Sequence, residues 1–229
     1  SKVESVRFLP LESNADNPID WVRKVWVTDK SILLYTGHTK EVHKYGHDGS
    51  FKFKIEKKGK GKSELSWVND FCPAPNDGLY VLGYNEYYLF DSIGLMQSNH
   101  IIEPPFESFV PRKFFIVNDT FQIFATSSSG NKNTEVENNS IRVFNKATSE
   151  NQFSLYRYSK GIGTEVFNQS NDCILINPNL GLDTIYTWKK NRVIPLFAID
   201  FGKYKTPVNE LPKEYNNGRV IIDFLYKNP

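Results

Sequence analysis

The sequence predicts an all-β fold assembled from a tandem unit of about 45 residues, and three observations predict it. An aromatic side chain closes a short strand four times, in Val42-His43-Lys44-Tyr45, Tyr87-Tyr88-Leu89-Phe90, Ile141-Arg142-Val143-Phe144 and Ile185-Tyr186-Thr187-Trp188. Upstream of each anchor stands a polar turn, Asp29-Lys30, Asn76-Asp77, Asn118-Asp119 or Asn171-Asp172, followed by a dense apolar strand. Beyond the first anchor, Phe51-Lys52-Phe53-Lys54-Ile55 alternates lysine with apolar residues, as a half-exposed edge strand does. Strand, turn, buried strand, loop, anchored strand, turn and outer strand, repeated around an axis, describe a β-propeller of four-stranded antiparallel blades.

Each element has a local reason. Asn and Asp suit tight turns because they tolerate left-handed backbone and bond their own main chain. The strands at 32–35, 79–82, 121–125 and 173–176 are apolar on both faces, which implies burial on both faces between neighbouring sheets. The turns Gly46-His47-Asp48-Gly49 and Asp91-Ser92-Ile93-Gly94 carry glycine where a positive φ is needed. The units run over about 20–58, 66–104, 108–160 and 163–205 of a single domain, with loose terminal strands at 5–11 and 219–226. The longest interval between anchors contains the Ser/Asn-rich insertion 127–139. Six blades would need roughly 270 residues, so four units plus two strands read as a truncated or incomplete six-bladed propeller. Half a propeller would leave apolar blade faces open, and self-association is then expected.

Composition bounds the function. With 14% aromatic residues and one Met among 229 residues, the chain suits stacked sheets better than a helical bundle. A formal net charge of +2 supplies no field that would imply nucleic acid or an anionic membrane surface. No apolar run reaches the roughly 20 residues of a membrane span. Cys72 and Cys173 read as separate buried thiols. The lysines at 52, 54, 57, 58, 60 and 62 are interrupted by Glu56 and Glu64 and read as a solvated edge. Gly59-Lys60-Gly61-Lys62-Ser63 lacks the gap and helix of a phosphate loop. His38, His43 and His47 surround one hairpin and read as surface residues, so neither a metal nor another cofactor is expected.

Two sets of residues could carry chemistry. Counting six residues back from each polar turn gives Arg23, Asp70, Arg112 and Glu165, at one level of the innermost strands. Their alternating signs fit a polar ligand site in the channel, or a ring of mutual ion pairs that closes it. The second set, Trp21, Trp67 and Tyr84, lies near strand junctions, where an exposed ring could stack on a sugar or clamp a peptide. Blade-to-blade packing is the plainer reading of each ring.

Two stretches carry a resemblance. Residues 46–64, Gly-His-Asp-Gly-Ser-Phe-Lys-Phe-Lys-Ile-Glu-Lys-Lys-Gly-Lys-Gly-Lys-Ser-Glu, and the element Ile199-Asp200-Phe201-Gly202-Lys203-Tyr204-Lys205-Thr206-Pro207 resemble six-bladed β-propeller proteins of Bacteroidetes related to NHL-repeat propellers. Phe8-Leu9-Pro10-Leu11-Glu12 is similar to their opening strand. Gly46 stands where the family has Asp, and Lys62-Ser63 replaces a Pro-Gly. The resemblance implies a cell-envelope protein, commonly a lipoprotein anchored through a native N-terminus outside this chain, and offers no catalytic residue to carry over. The expected function is therefore a non-enzymatic binding or scaffold module that meets a protein or glycan partner on its loop face. The alternative is a hydrolase or lyase at the channel mouth, with Asp70 and Glu165 as acid and base oriented by Arg23 and Arg112.

Overall fold

The structure, a computed structural model, describes residues 6–56, 59, 65, 67–102, 111–126, 139–148, 150–156, 167–170, 173–176 and 184–198. Among these residues sixteen strands form four separate four-stranded antiparallel sheets, each in simple sequence order. Sheet 1 comprises β1 (Val22–Val27), β2 (Ser31–Thr36), β3 (Val42–Gly46) and β4 (Phe51–Ile55). Sheet 2 comprises β5 (Asp70–Ala74), β6 (Gly78–Leu82), β7 (Glu86–Phe90) and β8 (Met96–Ile101). Sheet 3 runs through β9 (Pro111–Ile116), β10 (Phe121–Thr126), β11 (Asn139–Asn145) and β12 (Glu150–Tyr156). Sheet 4 runs through β13 (Phe167–Ser170), β14 (Cys173–Ile176), β15 (Thr184–Lys189) and β16 (Arg192–Ala198). Every sheet falls inside one expected unit, and Tyr45, Phe90, Phe144 and Trp188 all occupy the third strand.

The connecting turns use the chemistry their residues allow, though by different routes. Asn76 and Asp77 both adopt left-handed backbone, with φ of 57° and 60°, which Asn and Asp accept more readily than most side chains. At the equivalent turn of sheet 3, Asn118 Oδ1 instead accepts the backbone N–H groups of Thr120 and Phe121. In sheet 1 the same service comes from Thr28, whose hydroxyl accepts from the amides of Lys30 and Ser31, while Asp29 stays exposed. The Asn171-Asp172 turn lies outside the described residues. The outer turns bear out the need for glycine at Gly49 and Gly94, each with φ of +86°.

Ladder irregularities repeat along with the strands. In sheets 1, 2 and 3 the outer strand bulges immediately beside the aromatic anchor, skipping Lys52, Gln97 and Gln152 respectively. In sheet 4 the bulge comes earlier, skipping Leu196 opposite Ile185 and Tyr186. A bulge adds twist and bends the strand, so its recurrence marks a common blade geometry and not merely a common length.

The chain divides into two compact units, Ser1–Ile101 and Ile102–Pro229, each containing two sheets. In the first unit, sheet 1 meets sheet 2 through Lys24, Ser31 and Lys44, and Trp26, Leu33, Val42, Phe71, Leu79 and Val81 of the two sheets are buried. In the second unit, Phe115 approaches Phe167 at 6.5 Å between ring centres, and Phe121 approaches Trp188 at 5.0 Å. Cys72 is a buried thiol, as expected; the Cys173 side chain lies outside what is described.

The opening segment differs from expectation. Residues 6–11 form no strand; instead the Glu12 amide donates to Gly49 O at 2.9 Å and the Glu12 carboxylate accepts from Phe51 N at 3.0 Å. Pro10 has no N–H to give to a ladder, and the carboxylate of Glu12 takes one of the free donors of edge strand β4. The expected closing strand at 219–226 lies outside the described residues.

Gly49 tests this arrangement. A methyl group at its α-carbon would fall 2.1 Å from Pro10 O, on a backbone already at φ +86°. Gly49→Ala is expected to lower stability by about 1–3 kcal/mol in urea unfolding; an unchanged midpoint would mean that residues 10–12 do not sit against this turn.

Candidate functional site

The boundary between sheets 1 and 2 is charged at its centre. Lys24 projects from β1 and places Nζ 2.8 Å from Asp70 Oδ1 and 2.8 Å from Phe71 O, all three residues being buried. The ammonium also stands 5.0 Å from the Trp26 ring centre and 4.9 Å from that of Phe71, so aromatic faces supply part of the solvation it has lost. A second lysine, Lys44 of β3, meets the Asp77 carboxylate at 2.8 Å and donates to the Asp77 backbone oxygen. Ser31 Oγ donates to the same carboxylate at 2.8 Å. The left-handed Asn76-Asp77 turn thus docks on sheet 1 as well as joining β5 to β6.

Ladder register explains why equal counting from the turns does not give equal positions. In sheet 1 the residue opposite Tyr35 is Lys24, and in sheet 2 the residue opposite Leu82 is Asp70. Since Tyr35 and Leu82 both close the apolar run of the second strand, Asp70 corresponds to Lys24. Arg23 falls in a bulge between Val22 and Lys24, and Arg112 falls in a bulge at the same end of β9, between Pro111 and Lys113. The two arginines therefore share a position, as counted, but it is the unpaired residue of a bulge, where a side chain is re-aimed out of the ladder. Arg23 is exposed and Arg112 half-buried, whereas Asp70 is sealed against Lys24. Glu165 lies outside the described residues.

At one end of these two sheets the aromatic set comes together differently. Trp21 leads into β1, residues 37–41 join β2 to β3, Trp67 leads into β5, and residues 83–85 join β6 to β7. Antiparallel order puts two of these segments at one end of each sheet, and the contacts of Lys40 with Trp67 and of Tyr35 with Val68 O bring those ends side by side. Trp21, Trp67 and Tyr84 remain 61%, 36% and 50% exposed. The Arg23 guanidinium carbon stands 5.0 Å from the Trp21 ring centre, and the His38 ring lies 6.1 Å away on a 53° tilt. Lys40, on the loop of sheet 1, reaches across to hold Nζ 3.8 Å from the centre of Trp67 on sheet 2.

Hydrogen bonds fix the rings from behind. Trp67 Nε1 donates to Asn69 Oδ1 at 2.6 Å, and Asn69 Nδ2 donates to Gly83 O at 2.6 Å, tying the Trp67 segment to the loop that carries Tyr84. Tyr35 of β2 donates through its hydroxyl to Val68 O at 2.8 Å. Burial pushes the Tyr35 hydroxyl up to about 12, with Arg23 opposing and Asp70 adding to the rise, so it remains a donor at neutral pH. Asp20 accepts the amides of Gly37 and Thr39 at 3.0 and 2.8 Å. Its slight burial raises the pKa, yet the hydrogen bonds from Thr39, Gly37 and His38 outweigh that and hold it below its ordinary 3.8. Sequence reading missed Lys40, His38 and Asn69 as companions of the rings; the alternation of aromatic and cationic residues in Trp21-Val22-Arg23 was the available signal.

His43 corrects another expectation. It is buried, not a surface residue: Nε2 lies 2.9 Å from Glu41 Oε2 and Nδ1 lies 3.3 Å from Tyr45 Oη. The carboxylate requires an N–H at Nε2, which leaves Nδ1 to accept from the tyrosine in the neutral imidazole. Glu41 and His43 share a sheet face through the two-residue period of β structure, so a burial that looks costly for one is satisfied by the other. His38 and His47 are exposed as expected.

Two outcomes follow for the seam and the rim. Removing the carboxylate in Asp70→Ala leaves a buried ammonium with one fewer acceptor and is expected to cost about 3–5 kcal/mol in urea unfolding, whereas replacing the pair together by Met and Leu should recover most of it. A single variant within about 0.5 kcal/mol of wild type would contradict a buried pair. Because the folded pKa of Asp20 is depressed, its contribution to the 37–41 loop is fully present above its ordinary value and is lost as pH falls through the depressed one. Amide exchange of Gly37 and Thr39 is expected to accelerate only below about pH 4, relative to that of β2; acceleration already near pH 6 would point to another group.

The chain's sequence matches the family profile described as a 6-bladed β-propeller, DUF5128, over residues 1–228. Among solved structures it is similar to a Bacteroides fragilis protein described as exported, with 11% identity, a TM-score of 0.67, and coverage of 86% of this chain and 55% of that one. It is also similar to a member of the DUF4221 family from Bacteroides vulgatus, at 11% identity and a TM-score of 0.50, covering 84% of this chain and 61% of the other. The chain thus spans 55–61% of the length of these two structures. No curated protein matches it. The repeated four-stranded sheets, the recurrent bulges and the full-length profile together establish that this chain is a β-propeller belonging to the DUF5128 family of 6-bladed β-propellers.

Proposed function

We propose that this chain acts as a non-enzymatic binding or scaffold module of the cell envelope, and that it meets a protein or glycan partner through the end of sheets 1 and 2 that carries Trp21, Trp67 and Tyr84. The observation that carries this reading is the contrast between rings. Tyr45, Tyr88, Phe71, Phe114 and Phe124 are fully buried by sheet packing, while Trp21 and Tyr84 stay at least half exposed at the same end of two adjacent sheets. Large rigid rings with polar neighbours give contact area at low entropic cost.

The envelope placement belongs to the same reading. Its support is the motif resemblance at residues 46–64 and 199–207 and the description of the fold-matched Bacteroides fragilis protein as exported. The seam bears on the enzymatic alternative. A carboxylate held 2.8 Å from a buried lysine has its charge already matched, which favours a structural role for Asp70 over service as a general acid or base.

Parallel glycan and peptide arrays test the proposal. Wild type is expected to retain at least one class, and Trp21→Ala to weaken that binding about tenfold or more while the unfolding midpoint moves by less than about 0.5 kcal/mol. Retained binding in both Trp21→Ala and Trp67→Ala would place the contact surface elsewhere.

A further inference from the structure

We infer that the rim takes a carboxylated glycan, a chain of uronate-type sugars, with Trp21 stacking on a sugar ring and Arg23 receiving its carboxylate. This rests on the rim reading above and names its ligand class.

The first ground is how Arg23 is presented. It occupies the β1 bulge, so its side chain leaves the ladder and lies against Trp21, 5.0 Å from the ring centre. Gly37 makes room for it: a β-carbon there would stand 3.1 Å from Arg23 Nε and 3.1 Å from Trp21 Cε3. The exposed guanidinium and indole thus form one platform built over a glycine. Among the described residues no carboxylate lies within ion-pair distance of Arg23.

The second ground is the state of the neighbouring acids. Asp20 is committed to the amides of Gly37 and Thr39, Asp70 to Lys24, and Glu41 to His43 and Lys54. Glu86 interacts with the Tyr88 hydroxyl and contributes to holding that hydroxyl's pKa high, after burial. Each of these acids therefore has a partner of its own, while the cationic groups Arg23 and Lys40 lie on the rings. A planar carboxylate fits the guanidinium fork through two parallel hydrogen bonds.

The third ground separates a glycan from an acidic peptide. Peptide anchors seek a desolvated pocket or a strand edge. Trp21 has Arg23 and His38 beside it, and Trp67 has Lys40 and Asn69; these polar groups suit the hydroxyls of a sugar lying on a flat ring.

Isothermal titration with three probes tests the inference: an oligogalacturonide, a neutral galacto-oligosaccharide of equal length, and a poly-glutamate peptide. The oligogalacturonide is expected to bind best, to weaken as salt rises from 50 to 500 mM (roughly a threefold shorter screening length), and to lose about tenfold in affinity in Arg23→Gln. Trp21→Ala should weaken it as well, with circular dichroism of both variants unchanged. Equal binding of neutral and charged sugars that is still lost in Trp21→Ala would overturn the carboxylate assignment and leave the rim reading standing. Preference for the peptide, or indifference to Arg23→Gln, would also overturn the assignment. Binding of no probe would overturn the carboxylate assignment and leave the rim reading to the arrays; binding that neither Trp21→Ala nor Trp67→Ala affects would overturn both.

Discussion

Two lysines taken out of water between adjacent sheets constrain the first half of this molecule. An ammonium in a dry interface costs several kcal/mol unless oxygen atoms replace its hydration, and those oxygens must then stand where the lysine can reach. Lys24 and Lys44 find them on the neighbouring sheet, in Asp70, Phe71 O and Asp77. The apolar strands between them supply the bulk of the burial, but non-directional packing would tolerate some sliding of one sheet over the other. The two charged contacts do not, because each fixes a backbone oxygen as well as a carboxylate. A pair on the surface such as Lys54 with Glu56 contributes at most about 1 kcal/mol and carries no such constraint.

The rim inherits its geometry from that seam. Tyr35 lies one strand from Lys24 in the same sheet and bonds Val68 O, next to Trp67. Lys40 then bridges from the β2–β3 loop to the Trp67 ring, and Asn69 ties the same segment to the loop that bears Tyr84. A rigid seam thus carries an exposed set of rings on short, hydrogen-bonded segments. That arrangement suits a binding surface, whose affinity depends on groups already held in place.

Much of the architecture was legible because it depends on local chemistry repeated at intervals. The anchors Tyr45, Phe90, Phe144 and Trp188, the apolar second strands and the glycines of the outer turns each have a residue-level reason and recur together, so unit boundaries could be drawn close to the observed sheets. The candidate site was legible only in part. Counting from the turns found Arg23 and Arg112 as equivalent residues but could not show that both sit in bulges, since a bulge shifts register without changing residue type. It also missed that the partner of Asp70 is Lys24, because one extra residue in the Pro75–Asp77 turn offsets the two sheets. His43 was misread for a different reason. A lone polar residue on a strand looks exposed until its neighbour two positions away, Glu41, is seen to face the same way and satisfy it.

The buried lysine contacts lock sheets 1 and 2 into one body. Native-state hydrogen exchange over a denaturant series reads this coupling by following the amides of β2 and β3 against those of β6 and β7. These amides are expected to merge into one cooperative opening with a common free energy. Separate opening of the two sheets, with sheet 1 exchanging at a lower free energy while sheet 2 stays protected, would contradict it.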